Sequence, residues 1–145
     1  MLNRWFSHPL KCLERQRRWL DSQPQEALLR SILQTPLPTK MQEARQLDYL
    51  VVDFETSGFD AQQDHILSIG WVEIRQGVID LSSARHRLIR SPVVNGETAK
   101  VHHLLPETLQ TGDSIREGIT HLLRAMPSKV LVAHGAILEK QFLAT

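Results

Sequence analysis

LDYLVVDFETSGFD, residues 47–60, decides how the chain is read. Tyr49-Leu50-Val51-Val52 is a strand-forming run that feeds into Asp53-Phe54-Glu55 and then into a small polar turn, Thr56-Ser57-Gly58. Side chains two apart on a strand share a face, so Asp53 and Glu55 point the same way. Two carboxylates at the end of a buried strand repel each other and lose hydration, which is costly unless a cation sits between them. No lysine or arginine occurs from Asp48 to Ile74 to serve as that cation. A magnesium-like ion, which takes carboxylate oxygens, answers the need. The alternative is a solvated strand end, because Asp-x-Glu by itself is a common tripeptide.

Downstream, Ile66 to Ile74 predicts a second strand, Gln76-Gly77 a tight turn, and Val78 to Ile89 a third strand, together an antiparallel meander. Arg85, Arg87 and Arg90 read as its solvated rim. A loop rich in turn formers follows, and then Ser114-Ile115-Arg116-Glu117 has the form of a capping box. It opens a helix in which Ile115, Ile119, Leu122, Leu123 and Met126 recur at helical spacing until Pro127. Lys129 to Ala133, KVLVA, predicts a short buried strand, and a helix begins at Ile137. The order β-β-β-α-β-α is an α/β arrangement with a mixed sheet and flanking helices.

The run V-V-D-F-E-T-S-G-F-D, with H-I-L-S-I-G-W-V at His65 to Val72, resembles the first motif of the DnaQ-like 3′–5′ exonucleases. That family is the DEDD superfamily, to which the proofreading epsilon subunit of bacterial DNA polymerase III belongs. The resemblance implies a ribonuclease H-like fold and phosphodiester hydrolysis with two divalent cations, Mg²⁺ or Mn²⁺. Asp53 and Glu55 would then be catalytic metal ligands, and Thr56, Ser57, Gly58 and Phe59 would seat the 3′-terminal nucleotide. Glu97 and His102 match a Glu-x-x-x-x-His pattern of the family near that nucleotide; a surface acid and a loop histidine are the alternative.

The second motif, His-Asn-x-x-Phe-Asp-x-x-Phe-Leu, is matched in part by His134 to Leu143. His134, Phe142 and Leu143 hold their places, the last two on the helix. Gly135, Leu138 and Glu139 replace the asparagine, phenylalanine and aspartate. The resemblance makes His134 a substrate contact and Glu139 the third catalytic carboxylate and metal ligand, an exposed helix acid beside Lys140 being the alternative. The third motif, His-x-x-x-x-Asp, occurs nowhere in the sequence. The expectation is therefore an exonuclease domain at 47–145 that is C-terminally incomplete, shortened before its third motif.

The bulk numbers fit one domain of ordinary composition, with 41% apolar and 23% charged residues among 145. One cysteine, Cys12, excludes an internal disulfide framework. No apolar run reaches membrane-spanning length, and the expectation is a cytoplasmic protein with no membrane partner. Residues 1–46 hold eight Lys/Arg against four Asp/Glu, and the remainder holds nine against twelve. A basic leader before an acidic domain suits contact with nucleic acid, although a solvated helix face accounts for it equally well.

Within the leader, Leu2, Trp5, Phe6, Leu10 and Leu13 fall near helical spacing, and Pro9 marks a first helical turn. Ser22-Gln23-Pro24-Gln25 resembles a capping box before a second helix bearing Ala27, Leu28, Ile32 and Leu33, which Pro36-Leu37-Pro38 ends. The pair predicts a helical extension packed on the domain or on a polymerase or repair partner. Two functions follow from the whole reading. One is a 3′–5′ exonuclease acting on single-stranded or frayed 3′ ends of DNA or RNA and releasing nucleoside 5′-monophosphates. The other is a non-catalytic fragment that binds nucleic acid or a replication partner.

Overall fold

A computed structural model describes residues 9–24, 26–39, 41–91, 106–134 and 136–144. Alternation along strand β1 (Asp48–Thr56) sorts its side chains: Leu50, Val52, Phe54 and Thr56 are buried, Asp53 is exposed and Glu55 half-buried. Strand β2 (Ile66–Arg75) runs antiparallel to it, with Asp53 opposite Gly70 and Glu55 opposite Ser68. Gln76 and Gly77 both take positive φ, 51° and 77°. That is the backbone a tight two-residue hairpin demands, and glycine adopts it without steric cost. They lead into β3 (Val78–Leu88), antiparallel to β2.

Strand β4 (Lys129–Val132) pairs parallel to β1, giving the sheet order β3-β2-β1-β4. A parallel neighbour needs a crossover, and helix α4 (Ile115–Ala125) provides it. Before α4 lies a short helix, α3 (Pro106–Gln110); after β4 comes α5 (Ile137–Phe142). Leu50, Val52, Phe54, Ile66, Ile69 and Ile89 of the sheet region form one buried cluster with Leu122 of α4 and Phe142 of α5. The predicted capping box is present: Ser114 Oγ accepts from the Glu117 amide at 3.3 Å, and the Ser114 amide donates to Glu117 Oε2 at 2.8 Å.

The leader forms helices α1 (Pro9–Asp21) and α2 (Ala27–Gln34), neither with a buried residue. The Arg17 guanidinium donates to the carbonyls of Leu33 and Thr35, groups that the end of α2 leaves without helical partners. Helix α2 leans on α4, where Arg116 meets Glu26 at 2.8 Å. No described helix is long and apolar enough to cross a membrane.

Four expectations need correction. Ser22 does not cap α2, whose N-cap is Glu26; its hydroxyl instead donates to Trp19 O at 2.6 Å, at the end of α1. Strand β4 is not buried, with Leu131 and Val132 exposed, because no described strand lies on its outer side. Arg87 is no rim residue, since its guanidinium is half-buried against Asp113 and His121. Helix α3 adds an element to the β-β-β-α-β-α order. Leu2, Trp5, Phe6, Glu97, His102 and Gly135 lie outside the described residues.

Candidate active site

The register of the sheet decides where the acids stand. Strand β4 accompanies β1 only as far as Val51, opposite Val132, so Asp53 lies just beyond the last rung. On its other flank stands Gly70, which has no side chain. Asp53 thus occupies an open position on β1 past the end of its pairing with β4, with Glu55 on the same face.

From Val132 the chain passes His134 and enters α5, which packs against β1. Glu139 sits in the first turn of this helix and is only 6% exposed, which excludes the solvated helix acid. Its Oε2 atom is buried with no hydrogen-bond partner among the described residues. Three residues on, the buried Phe142 ties the same side of the helix into the core.

The turn after β1 is held by its own side chains. Thr56 Oγ1 donates to Gly58 O at 2.7 Å, and the Ser57 amide donates to His65 O at 2.9 Å. The Ser57 hydroxyl donates to Asp64 Oδ1 at 3.0 Å and accepts from the His65 amide at 2.9 Å. The second Asp64 oxygen accepts from the Asp60 amide at 3.0 Å. Ser57 is thereby committed within the loop through both its amide and its hydroxyl. The amides of Gly58 and Phe59 have no hydrogen-bond partner among the described residues.

Phe59, 87% exposed, lines a shallow pocket of about 280 Å³ with His134, Ile137, Leu138 and Gln141. The fold therefore brings together two predicted residues, Phe59 and His134, that are far apart in sequence. It adds three that were not predicted as site residues. Their signal was legible: positions 137, 138 and 141 follow helical spacing along α5, which also bears Glu139. Larger cavities lie elsewhere. One of about 610 Å³, between the Pro36-Leu37-Pro38 connector and Lys129, opens beside Asp48 at the opposite end of β1.

The donor chemistry fits a hard divalent cation in an open site. Among the described residues no group of three or more His, Cys, Asp or Glu side chains is placed to hold a metal ion, so Glu139 does not join Asp53 and Glu55 in such a group. Magnesium does not need one; it is held by one or two carboxylates, several waters and substrate phosphate. Asp53 and Glu55 offer such a pair. The orphaned oxygen of Glu139 is a further carboxylate group that burial leaves uncompensated.

Residues 50–143 match the RNase T exonuclease family. DNA polymerase III PolC-type of Thermotoga petrophila is 33% identical over 96 residues, which is 66% of this chain and 7% of that protein. DNA polymerase III subunit epsilon of Treponema pallidum is 30% identical over 98 residues, covering 66% of this chain and 44% of the relative. The chain thus spans less than half the length of these relatives. Among solved structures, exonuclease I from Methylocaldum szegediense superposes with a TM-score of 0.59 at 14% identity, over 66% of this chain and 22% of that one. The structure of SSB/exonuclease I with the inhibitor CFAM gives 0.56 at 11% identity, over 67% and 23%. These likenesses establish the ribonuclease H-like fold, and the sequence match over most of the chain goes further: the protein is a member of the exonuclease family.

Proposed function

We propose that the unit at 47–145 is a metal-dependent exonuclease that shortens single-stranded or frayed DNA or RNA from the 3′ end, releasing nucleoside 5′-monophosphates. The observation that carries this is the buried Glu139 oxygen, without a hydrogen-bond partner among the described residues, on the helix packed against the acid-bearing strand. An apolar protein interior tolerates such a group poorly unless a ligand completes it. Asp53, Glu55 and Glu139 would hold two ions, magnesium or manganese. When bound, these supply a water activated for attack and charge stabilisation at the leaving 3′-oxygen.

The chain's own residues bind and orient the substrate. Phe59 offers an aromatic face for the terminal base, and Ile137 and Leu138 form the apolar wall opposite. His134 borders the same pocket and reaches the strand from the α5 side. Thr56 and Ser57 shape the turn, and Gly58 and Phe59 offer amides to the terminal sugar. Glu97 and His102 would approach the same nucleotide. A pocket of about 280 Å³ admits one unpaired base, which favours single strands and frayed ends. Hydrolysis joins the water oxygen to phosphorus and breaks the P–O3′ bond, leaving a new 3′-hydroxyl behind. The polymerase relatives suggest a replication or repair partner in the cytoplasm, met through the helices of residues 1–46.

The test is a 5′-labelled oligonucleotide incubated with the protein and Mg²⁺ or Mn²⁺, beside Asp53→Asn. A ladder of products shortened from the 3′ end, absent in the variant and in EDTA, is expected. Binding without shortening by both proteins would replace the enzyme with a nucleic-acid-binding module.

A further inference from the structure

Besides the bonds of Thr56 to Gly58 and of Ser57 to His65, the turn at Thr56–Phe59 is braced by a carboxylate that lies outside it. Asp64 accepts from the Ser57 hydroxyl with one oxygen and from the Asp60 amide with the other, each at 3.0 Å, so it spans the turn from one side to the other. Its own amide donates to Asp60 O at 2.7 Å, which fixes the carboxylate's base. Between the two anchor points lie Gly58 and Phe59. A Cβ on Gly58 would stand 2.3 Å from Asp64 Oδ2 and 2.6 Å from its Cγ, so the glycine leaves the space that the carboxylate fills. A side chain at position 58 would have to displace that carboxylate.

We propose that Asp64 is a positioning residue for substrate: by holding Ser57 and Asp60 it presets the turn so that the Gly58 and Phe59 amides and the Phe59 ring meet the 3′-terminal nucleotide. The inference rests on the reading of this turn as the nucleotide seat. The hydrogen bonds of Asp64 go to Ser57 and Asp60 and not to Asp53, Glu55 or Glu139, so it acts through the turn it holds. Removing it leaves Asp53 and Glu55 on their strand but lets the turn sample other shapes, which the substrate must then select against.

The experiment is steady-state cleavage of an oligonucleotide by wild type, Asp64→Ala, Asp64→Asn, Gly58→Ala and the double variant. Melting temperature and calorimetric Mn²⁺ uptake serve as controls. Asp64→Ala should raise KM about tenfold with kcat changed by less than about threefold, because ground-state positioning is what it loses. Asp64→Asn should recover most of the KM, its carbonyl taking the Asp60 amide while its amide group faces Ser57 Oγ. Gly58→Ala should reproduce the Asp64→Ala effect by pushing the carboxylate off Ser57 and Asp60, and the double variant should be no worse than either single one, since both lose the same two hydrogen bonds. If Asp64→Ala does not fold, Asp64→Asn and Gly58→Ala carry the comparison.

An unchanged KM in Asp64→Ala, or additive effects in the double variant, would overturn the proposal while leaving the exonuclease reading intact. Anisotropy in Ca²⁺ separates the other failure. If wild type binds 3′-hydroxyl and 3′-phosphate oligonucleotides alike and shortens neither, the nucleotide seat itself is misread, and the role of Asp64 falls with it.

Discussion

Arg87 Nε donates to Asp113 Oδ2 at 2.7 Å, while Nη2 of the same guanidinium lies 3.1 Å from His121 Nε2. One side chain near the end of β3 thus holds both the residue before the N-cap of α4 and a residue midway along that helix. The backbone repeats the link: the Asp113 amide donates to Leu88 O at 2.9 Å, and the Arg90 amide donates to Asp113 O at 2.7 Å. The start of the crossover helix is therefore pinned to the sheet by charge and by main chain together. Arg87→Ala should cost about 1–2 kcal/mol, the value of charged hydrogen bonds in a half-solvated place. Arg87→Lys should not recover it, because an ammonium lacks the planar fork that reaches both partners. Urea unfolding of Arg87→Ala, Asp113→Ala and the double variant checks this; strictly additive losses would show that the two residues are not coupled.

Glu139 Oε2 is buried with no hydrogen-bond partner among the described residues. An oxygen left in that state should destabilise the metal-free protein by about 1–3 kcal/mol. Glu139→Met fills similar volume without the charge and should raise the melting temperature in EDTA while abolishing cleavage. Added Mn²⁺ should raise the melting temperature of wild type but that of the variant far less, by mass action on the folded state. A variant that melts at or below the wild-type temperature in EDTA would show that the glutamate is satisfied in some other way.

What the sequence disclosed depended on how local its signal was. The face shared by Asp53 and Glu55 follows from two-residue periodicity alone, and the Ser114–Glu117 cap from a four-residue pattern, and both stand in the structure. The Ser22–Gln25 pattern had the same local form, but α2 begins only at Ala27 with Glu26 as its N-cap. Arg87 was misread because its partners are 26 and 34 residues away, beyond the reach of any spacing rule. Burial of Glu139 depends on the parallel pairing of β4 with β1 and the docking of α5, which are tertiary facts. Asp64 escaped notice for a different reason: an acid in a polar loop looks solvated until its bonds to Ser57 and Asp60 are seen.

Gly118 sits on α4 where the helix crosses the sheet. A Cβ there would lie 2.3 Å from Ile89 Cδ1 and 3.4 Å from Ile69 Cδ1, both in the core. Alanine normally strengthens a helix interior relative to glycine by about 0.5–1 kcal/mol. Here overpacking should win, because crowding a filled core costs about 1–3 kcal/mol. Gly118→Ala is expected to lower stability, and Gly118→Ala with Ile89→Val to recover part of it by removing the methyl in the way. Chemical denaturation of the two variants decides the sign; a stabilised Gly118→Ala would mean that the isoleucine moves aside freely.

The α4 cap makes stability depend on acid. The Glu117 carboxyl is held below its ordinary value of 4.5, chiefly by the hydrogen bond from the Ser114 hydroxyl and then by that from the Ser114 amide. A carboxyl with a lowered folded value favours the folded state when ionised. Its contribution is therefore whole above the ordinary carboxylate range and disappears as the pH falls through the folded value. Glu117→Gln lacks this titration, so the stability difference between wild type and variant should be constant near neutrality and shrink as the pH falls below the ordinary carboxylate range. Asp80, whose value is likewise lowered by its bond with Ser82, is present in both proteins and cancels in the difference. Denaturant midpoints for the pair measured across that range test the cap directly. A gap that stays constant into acid would show that the Glu117 charge does not hold the end of the helix.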